Sequence, residues 1–428
     1  MTDIHETTPA PPGSSGPTGP HESEGWRKLA PLVGGVVVVV VLSLTTGSFP
    51  LLAFVFAVIA MIMLHEAGHF VTAKWSGMKV TEFFLGFGPR LWSLRRGETE
   101  YGVKAAPLGG YVKIIGMSNL EKEIDPADEP RTYRQQSYPK RLVVAVAGIV
   151  THFVVAVLVL TVMWTVVGVP TDEPSLTVGE ISRLQTGESP AQRAGFRVGD
   201  RIVSYDERTA LAWDELPTYI RSRPDQPITF VVDRDGAHVT LTATPTTVTR
   251  DGETVGFIGL GPDPTTETKG LVTGSLRAGH DVGVLTWRSI GALGSFFSPS
   301  SLQNYATLIT DGAKSTSNAD EEARPVSIVG VVRIAGQAAE TGWFNVLNLF
   351  VVLNIFVGVF NMVPLLPFDG GHIAIATYER IRSRRGRRYF ADITKMMPFT
   401  VAVVVVMVAL GLTSIWLDVF QPPANPFQ

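Results

Sequence analysis

The sequence predicts an α-helical integral membrane protein of about five spans, with a cytoplasmic β-hairpin and an extracytoplasmic α+β domain. Three observations carry that reading. Apolar runs long enough to cross a bilayer recur along a 428-residue chain that is 45% hydrophobic, and the mean hydropathy of +0.21 is high for a soluble protein. Lys and Arg gather at alternate ends of those runs, as the positive-inside rule requires. Short β-branched runs bounded by turn residues lie within 80–117 and 177–245.

Taken in order, residues 1–25 are rich in Pro, Gly, Ser and Thr, lack large apolar groups, and read as a disordered cytoplasmic tail. Residues 26–48 hold an extra N-terminal span centred on 30–45. A signal peptide there is disfavoured because Thr45-Thr46-Gly47-Ser48 offers no small-residue cleavage pattern. Segment 49–169 is a membrane core with spans near 49–71 and 142–167. Between them Phe84-Leu-Gly-Phe-Gly-Pro89, a turn at Arg96-Gly97 and Pro107-Leu-Gly-Gly-Tyr-Val-Lys113 suggest a hairpin. Segment 170–265 is the extracytoplasmic domain, and 266–342 a helical connector with a polar loop at 315–324. Segment 343–420 brings the last two spans, near 346–368 and 397–416, and 421–428 is a tail. Lys74, Lys79, Arg90, Arg95 and Arg96, then Lys140 and Arg141, and later Arg380, Arg382, Arg384, Arg385, Arg387 and Arg388 mark the cytoplasmic loops.

The chemistry concentrates at the end of the second span, in His65-Glu66-Ala-Gly-His69. At 3.6 residues per turn the two imidazoles stack on one helix face, within reach of one metal ion. Glu66 lies about 100° round the helix, placed to act as general base on a metal-bound water. Two imidazoles leave zinc under-coordinated, so a third protein ligand is expected. No cysteine is present, which excludes disulfides, thiolate ligands and thiol catalysis and leaves His and carboxylate. Asp369, in Asn361-Met-Val-Pro364-Leu-Leu-Pro367-Phe-Asp369-Gly-Gly-His372, stands out: a lone carboxylate at that depth is costly, and a Zn²⁺ partner removes the cost. The alternative is an interfacial Asp that caps the following helix.

Pro364 and Pro367 should break the fourth span. Asn361 either donates to a substrate carbonyl or bonds the broken helix beside it. His372 is expected to face water. His152, inside the third span, reads as a buried neutral histidine bonded to a neighbour, or as a group near the active site. No phosphate-loop frame or nucleophile elbow occurs, and the net charge of −3 without a basic block speaks against nucleic acid.

Residues 177–245 resemble a PDZ domain, most recognisably in Ala194-Gly-Phe-x-x-Gly-Asp200. Such domains add an extended peptide end to a sheet edge beside a helix. Together with His65-Glu-Ala-Gly-His69, Gly109-Gly110-Tyr-Val-Lys, Pro325-Val-Ser-Ile-Val-Gly330 and Asn361-x-x-Pro-x-x-x-x-Asp-Gly-Gly371, the chain from about 49 to 416 resembles the site-2 intramembrane zinc metalloproteases, in their PDZ-containing bacterial branch. The resemblance implies a multi-pass plasma-membrane protease with its PDZ domain outside and its zinc site near the cytoplasmic face. His65, His69 and Asp369 would hold Zn²⁺, and Glu66 would be the catalytic base. Asn361, Pro364, Gly109 and Gly110 would handle substrate, the glycines within a membrane-associated strand that clamps an unwound chain. It further implies single-span substrates of the anti-sigma-factor type, cut within the bilayer after an earlier cut outside. Two features depart from the family: the extra span at 30–45, and Gly148-Ile-Val-Thr-His152 where relatives often carry Gly-Pro-x-x-Asn. Competing readings are a membrane-anchored zincin acting on non-membrane proteins and a non-catalytic PDZ receptor.

Overall fold

A computed structural model describes residues 22–117, 124–182, 187–250, 253–311, 325–383 and 388–421. Most of the N-terminal tail, the loop at 315–324, Arg384, Arg385, Arg387 and nearly all of the C-terminal tail lie outside the described residues. The chain divides into two compact units, one formed by residues 1–160 and 278–428, the other by residues 161–277.

In the first unit, α1 (Glu22–Thr45) contains an apolar stretch, Val33–Thr45, and α2 (Phe49–Trp75) follows. Among the described residues, four helical stretches are long and apolar enough to cross a membrane: Phe49–Trp75, Tyr138–Val167, Trp343–Asn361 and Thr394–Phe420. The apolar part of α1 is shorter than these.

The end of α2 sets the geometry of what comes next. Gly77 adopts φ +81°, its N–H bonds the Lys74 carbonyl at 3.0 Å, and the Met78 N–H bonds Ala73 at 2.9 Å. This double bond pattern closes a helix with a left-handed residue, a conformation only glycine takes without strain. Met78 and Ala73 are fully buried together with Val80 and Ile114. The chain is thereby turned back under the helix into β1 (Val80–Arg96), which pairs with β2 (Thr99–Ile114).

The pairing is more elaborate than a two-stranded hairpin. Residues 82–85 pair with 110–113 on one side and with 100–103 on the other, while 90–96 pair with 99–104. Gly86 and Gly88, both at φ +86°, let β1 fold back on itself within Phe84-Leu-Gly-Phe-Gly. Glu98, at the turn, accepts Lys74 Nζ at 2.5 Å and both Arg131 Nη atoms at 2.7 and 2.9 Å. The Arg131 guanidinium, with Lys74 beside it, holds this carboxyl down at about 2. Because the folded value lies below the ordinary carboxylate value, the clamp stabilises fully above pH ~4.5 and is lost as pH falls towards 2. Amide exchange at residues 96–100 should therefore be flat between pH 7 and 5, corrected for intrinsic rate, and accelerate below 4. Glu98→Gln should abolish that pH dependence at a cost of about 1 kcal/mol, as for a solvent-screened pair.

α3 (Tyr138–Val162) continues through one π-helical turn to Val167. Its Arg141, 8% exposed, donates to Glu379 Oε2 at 2.5 Å, and Glu379 Oε1 accepts the Ala391 N–H at 2.7 Å. Glu379→Ala should destabilise the protein by about 3–5 kcal/mol, because it strands a buried guanidinium. A thermal or denaturant melt in detergent measures it, and co-substitution with Arg141→Met should recover most of the loss.

The apolar helix expected over 346–368 is shorter than the sequence suggests. It ends at Asn361, residues 362–368 are non-helical, and a new helix begins at Asp369 and runs to Arg382. Pro364 and Pro367 offer no N–H and push their predecessors out of the helical region, so the break falls there. Gly370 and Gly371 close it: a Cβ on Gly370 would stand 2.3 Å from the carbonyl oxygens of Met362 and Val363, and one on Gly371 would stand 2.6 Å from Leu366 N. Elsewhere in this unit Ala335 and Ala338, on the helix Ile328–Thr341, let it approach Phe54, Met61, Val346 and Phe350 closely.

The second unit is an α+β arrangement. Its main sheet runs in the order Leu260–Glu267, Val169–Ile181, Arg201–Tyr205, Ile228–Arg234, Ala237–Ala243. Alternate residues Ile202, Phe230 and Val232 face a core completed by Val178, Phe196, Leu216 and Ile220. The Ala194-Gly-Phe-x-x-Gly-Asp200 turn is built on Gly195 (φ +82°) and Gly199 (φ +95°). Asp200, 1% exposed, accepts the Arg197 N–H at 2.8 Å and Arg234 Nε and Nη2 at 2.7 Å each.

Candidate metal centre

His65 and His69 project from α2 one turn apart, with ring centroids 4.8 Å from each other. Their Nε2 atoms stand 3.2 Å apart. Asp369, the first residue of the helix after the break, brings Oδ2 to 3.3 Å from His65 Nε2 and 3.2 Å from His69 Nε2. Asp369 is thus at a helix start, as the capping alternative had it, yet its carboxylate points at the imidazoles.

The three atoms form a near-equilateral triangle, and the chemistry of the donors fits a zinc ion. Ligands 2.0–2.1 Å from a tetrahedral zinc lie about 3.3 Å from one another. His69 Nδ1 bonds the Val144 carbonyl at 2.7 Å, so that nitrogen carries the ring's proton and Nε2 presents a lone pair. Asp369 Oδ2 is buried with no hydrogen bond of its own. Lone pairs crowded together in a dry site repel unless a cation lies among them. Among the described residues, these three are the group of His and carboxylates placed to share one metal ion.

Glu66 is half-buried on the same helix and is not in that triangle. Gly110 of β2 lies against it: a Cβ there would stand 3.3 Å from Glu66 Cγ and 3.0 Å from Met63 Sδ. A Cβ on Gly109 would stand 2.8 Å from the Phe87 ring. Asn361 spends its amide N–H on the Val357 carbonyl of its own helix, at 3.1 Å, and Pro364 is exposed in the break. His372 corrects the expectation that it faces water. It is half-buried, edge-on to the Tyr133 ring at 6.3 Å, because the Asp369 helix packs it inward.

Two residues that matter to this geometry carry little signal in the sequence. Gly148 of α3 lies directly on the imidazole pair, where a Cβ would stand 2.3 Å from His69 Nε2. Asn354, fully buried on the helix Trp343–Asn361, bonds His152.

The family model for peptidase family M50 matches residues 53–405. The chain belongs to peptidase family M50. This M50 peptidase is 33% identical over 403 residues to the zinc metalloprotease Rip1 of Mycobacterium bovis, covering 86% of this chain and 96% of that protein. It is 34% identical over 400 residues to Rip1 of Mycobacterium tuberculosis, with the same coverage. Rip1 of Mycolicibacterium smegmatis is 32% identical over 406 residues, covering 86% of this chain and 97% of its own. The resemblance to site-2 proteases read from the motifs is therefore borne out, and a multi-pass membrane protease follows from the family and the apolar helices.

Proposed function

We propose that this M50 peptidase is an intramembrane zinc endopeptidase cutting a peptide bond in or near the membrane segment of a single-span protein. The observation that carries the reading is the 3.2–3.3 Å triangle of His65 Nε2, His69 Nε2 and Asp369 Oδ2, with Glu66 on the same helix as the two imidazoles. His65, His69 and Asp369 would hold the ion, which when bound would supply Lewis acidity and activate a water. Glu66 is the base that would take a proton from the attacking water and return it to the departing nitrogen. The Val144 carbonyl keeps the His69 ring oriented. The strand edge at Gly109 and Gly110, free of side chains, receives a locally extended substrate, and Asn361 and Pro364 line the break through which it passes. Substrates with helix-breaking residues near the cut are favoured, since a helical peptide bond is shielded by its own turn.

The substrate class we infer is an anti-sigma-factor type protein, already trimmed outside, whose cytosolic part is released. The second unit reads as a PDZ domain outside the cytoplasm that takes a trimmed peptide end, with the metal site near the cytoplasmic face and the stretch 30–45 as a fifth span.

The test is purified protein in lipid with a trimmed single-span substrate, with the cut site mapped by mass spectrometry and the zinc content measured. One zinc per chain and cleavage within the span are expected, both lost in Asp369→Ala. An Asp369→Ala protein that keeps its zinc and its activity overturns the reading in favour of a zincin with its third ligand elsewhere.

A further inference from the structure

Away from the metal centre, we infer that a cavity between the start of α3 and the end of the helix Asp369–Arg382 is a binding site for a phosphate group, carried by an anionic phospholipid headgroup. The cavity measures about 320 Å³, at the low end of small-molecule sites. Ser137 and Tyr138, which open α3, line it together with Arg141, Arg380, Arg388 and Tyr389.

The charge around this cavity is unbalanced. Arg134, also in its wall, pairs with Glu129 through bonds of 2.6 and 2.9 Å, and Arg141 pairs with Glu379 at 2.5 Å. Those four charges cancel. Arg388 donates to the Gln135 and Gln136 carbonyls at 3.0 and 3.4 Å, which are neutral acceptors and leave its charge in place. Among the described residues, no carboxylate pairs with Arg380 or Arg388. Two positive charges are therefore in surplus.

The donors suit a phosphate. Guanidinium N–H groups fork onto its oxygens, and the open N–H groups in the first turn of a helix such as α3 favour an anion. A further donor is already desolvated: Arg141 is 8% exposed, and its Nε is buried without a hydrogen-bond partner. Arg141 also borders the neighbouring cavity that holds Tyr133 and His372. The wall around Tyr389 is firmly held. Arg382 lies over the Tyr378 and Tyr389 rings at 5.9 and 5.3 Å, and the two rings meet edge-on at 5.8 Å. The Tyr389 N–H donates to Ser383 Oγ at 3.0 Å.

The place fits a headgroup better than a free ion. α3 opens the membrane-length stretch Tyr138–Val167, so the cavity sits at the first turn of an apolar helix. Arg and Tyr at that level meet lipid phosphates, and basic pockets between helices there take acidic headgroups. Bound there, the phosphate joins α3 to the helix that begins at Asp369.

The experiment titrates full-length protein in non-ionic detergent with phosphatidylglycerol, with phosphatidylcholine of the same chain length, and with inorganic phosphate as competitor. Native mass spectrometry counts the bound lipid, and a thermal melt reports its stabilisation. Arg380→Gln with Arg388→Gln empties the cavity of its surplus charge. Arg95→Gln with Arg96→Gln removes the same charge from two exposed positions at the end of β1. Wild type and the β1 variant should each hold one phosphatidylglycerol in preference to phosphatidylcholine. The cavity variant should bind it at least about tenfold more weakly, as for loss of hydrogen bonds from a charged donor. Arg380→Gln alone should fall between; it has no ion pair to lose, so its fold is undisturbed even if loss of the Arg388 bonds lowers the melt. Phosphatidylglycerol bound equally by the two double variants, or by Arg380→Gln and wild type, overturns the site. So does phosphatidylcholine held as tightly as phosphatidylglycerol. If millimolar inorganic phosphate displaces the lipid and raises the melt as far by itself, the lipid source is overturned in favour of free phosphate.

Discussion

Glu66→Gln is expected to leave zinc bound at one per chain and to slow cleavage by about 10²–10⁴-fold, the usual worth of a positioned general base. The separation of the two effects comes from geometry. Glu66 shares α2 with the imidazoles but lies outside the triangle made by His65, His69 and Asp369. Gln has nearly the same volume, so the approach of Gly110 to the Glu66 side chain, with a Cβ at 3.3 Å from Cγ, is undisturbed. What changes is the ability to accept a proton, which an amide lacks. Single-turnover cleavage of a trimmed substrate measures the loss, and elemental analysis of the same preparation measures the metal. In cells the trimmed substrate should accumulate at full length within the membrane. A variant that cleaves at the wild-type rate removes Glu66 from the mechanism, and one that loses its metal makes it a ligand.

How much of this was legible in the residues depended on distance along the chain. The pairing of His65 with His69 is local, fixed by the helical repeat, and could be read from spacing. Asp369 lies some three hundred residues away, yet a carboxylate between apolar runs advertises its need for a cation. The break at 362–368 was announced by two prolines, though not the point where the span ended, since sequence does not show where a helix runs out of partners. The fold-back of β1 was hidden because Gly86 and Gly88 look like flexible turn residues until their φ of +86° and the double pairing of residues 82–85 are seen. Gly148 and Asn354 were illegible for a different reason. Their meaning is entirely in what they face, and α3 meets α2 and the helix Trp343–Asn361 through tertiary packing that no local pattern encodes.

Gly148→Ala is the other large effect to expect: a protein that inserts and folds but holds no zinc and cuts nothing above background. In most helices this exchange is favourable by about 0.5–1 kcal/mol, because alanine restricts the unfolded chain and fits the helical backbone. Here the added methyl would stand 2.3 Å from His69 Nε2, 2.6 Å from His65 Cε1 and 2.8 Å from His65 Nδ1. No real carbon sits so close, so one partner must move. His69 cannot swing away cheaply, since it is 4% exposed and its Nδ1 is held by the Val144 carbonyl at 2.7 Å. If α3 retreats instead, it takes Val144 with it, and the ring loses the bond that fixes its lone pair. Either way the 3.2 Å spacing between the two Nε2 atoms is lost, and zinc tolerates little departure from its ligand distances. Gly336→Ala supplies the contrast: it is also a helical glycine, but nothing lies within 4 Å of its Cβ position. That variant should keep its zinc and melt slightly higher. Equal zinc content in the two proteins would mean that α3 does not press on the imidazoles, and the packing argument for the metal centre would fall with it.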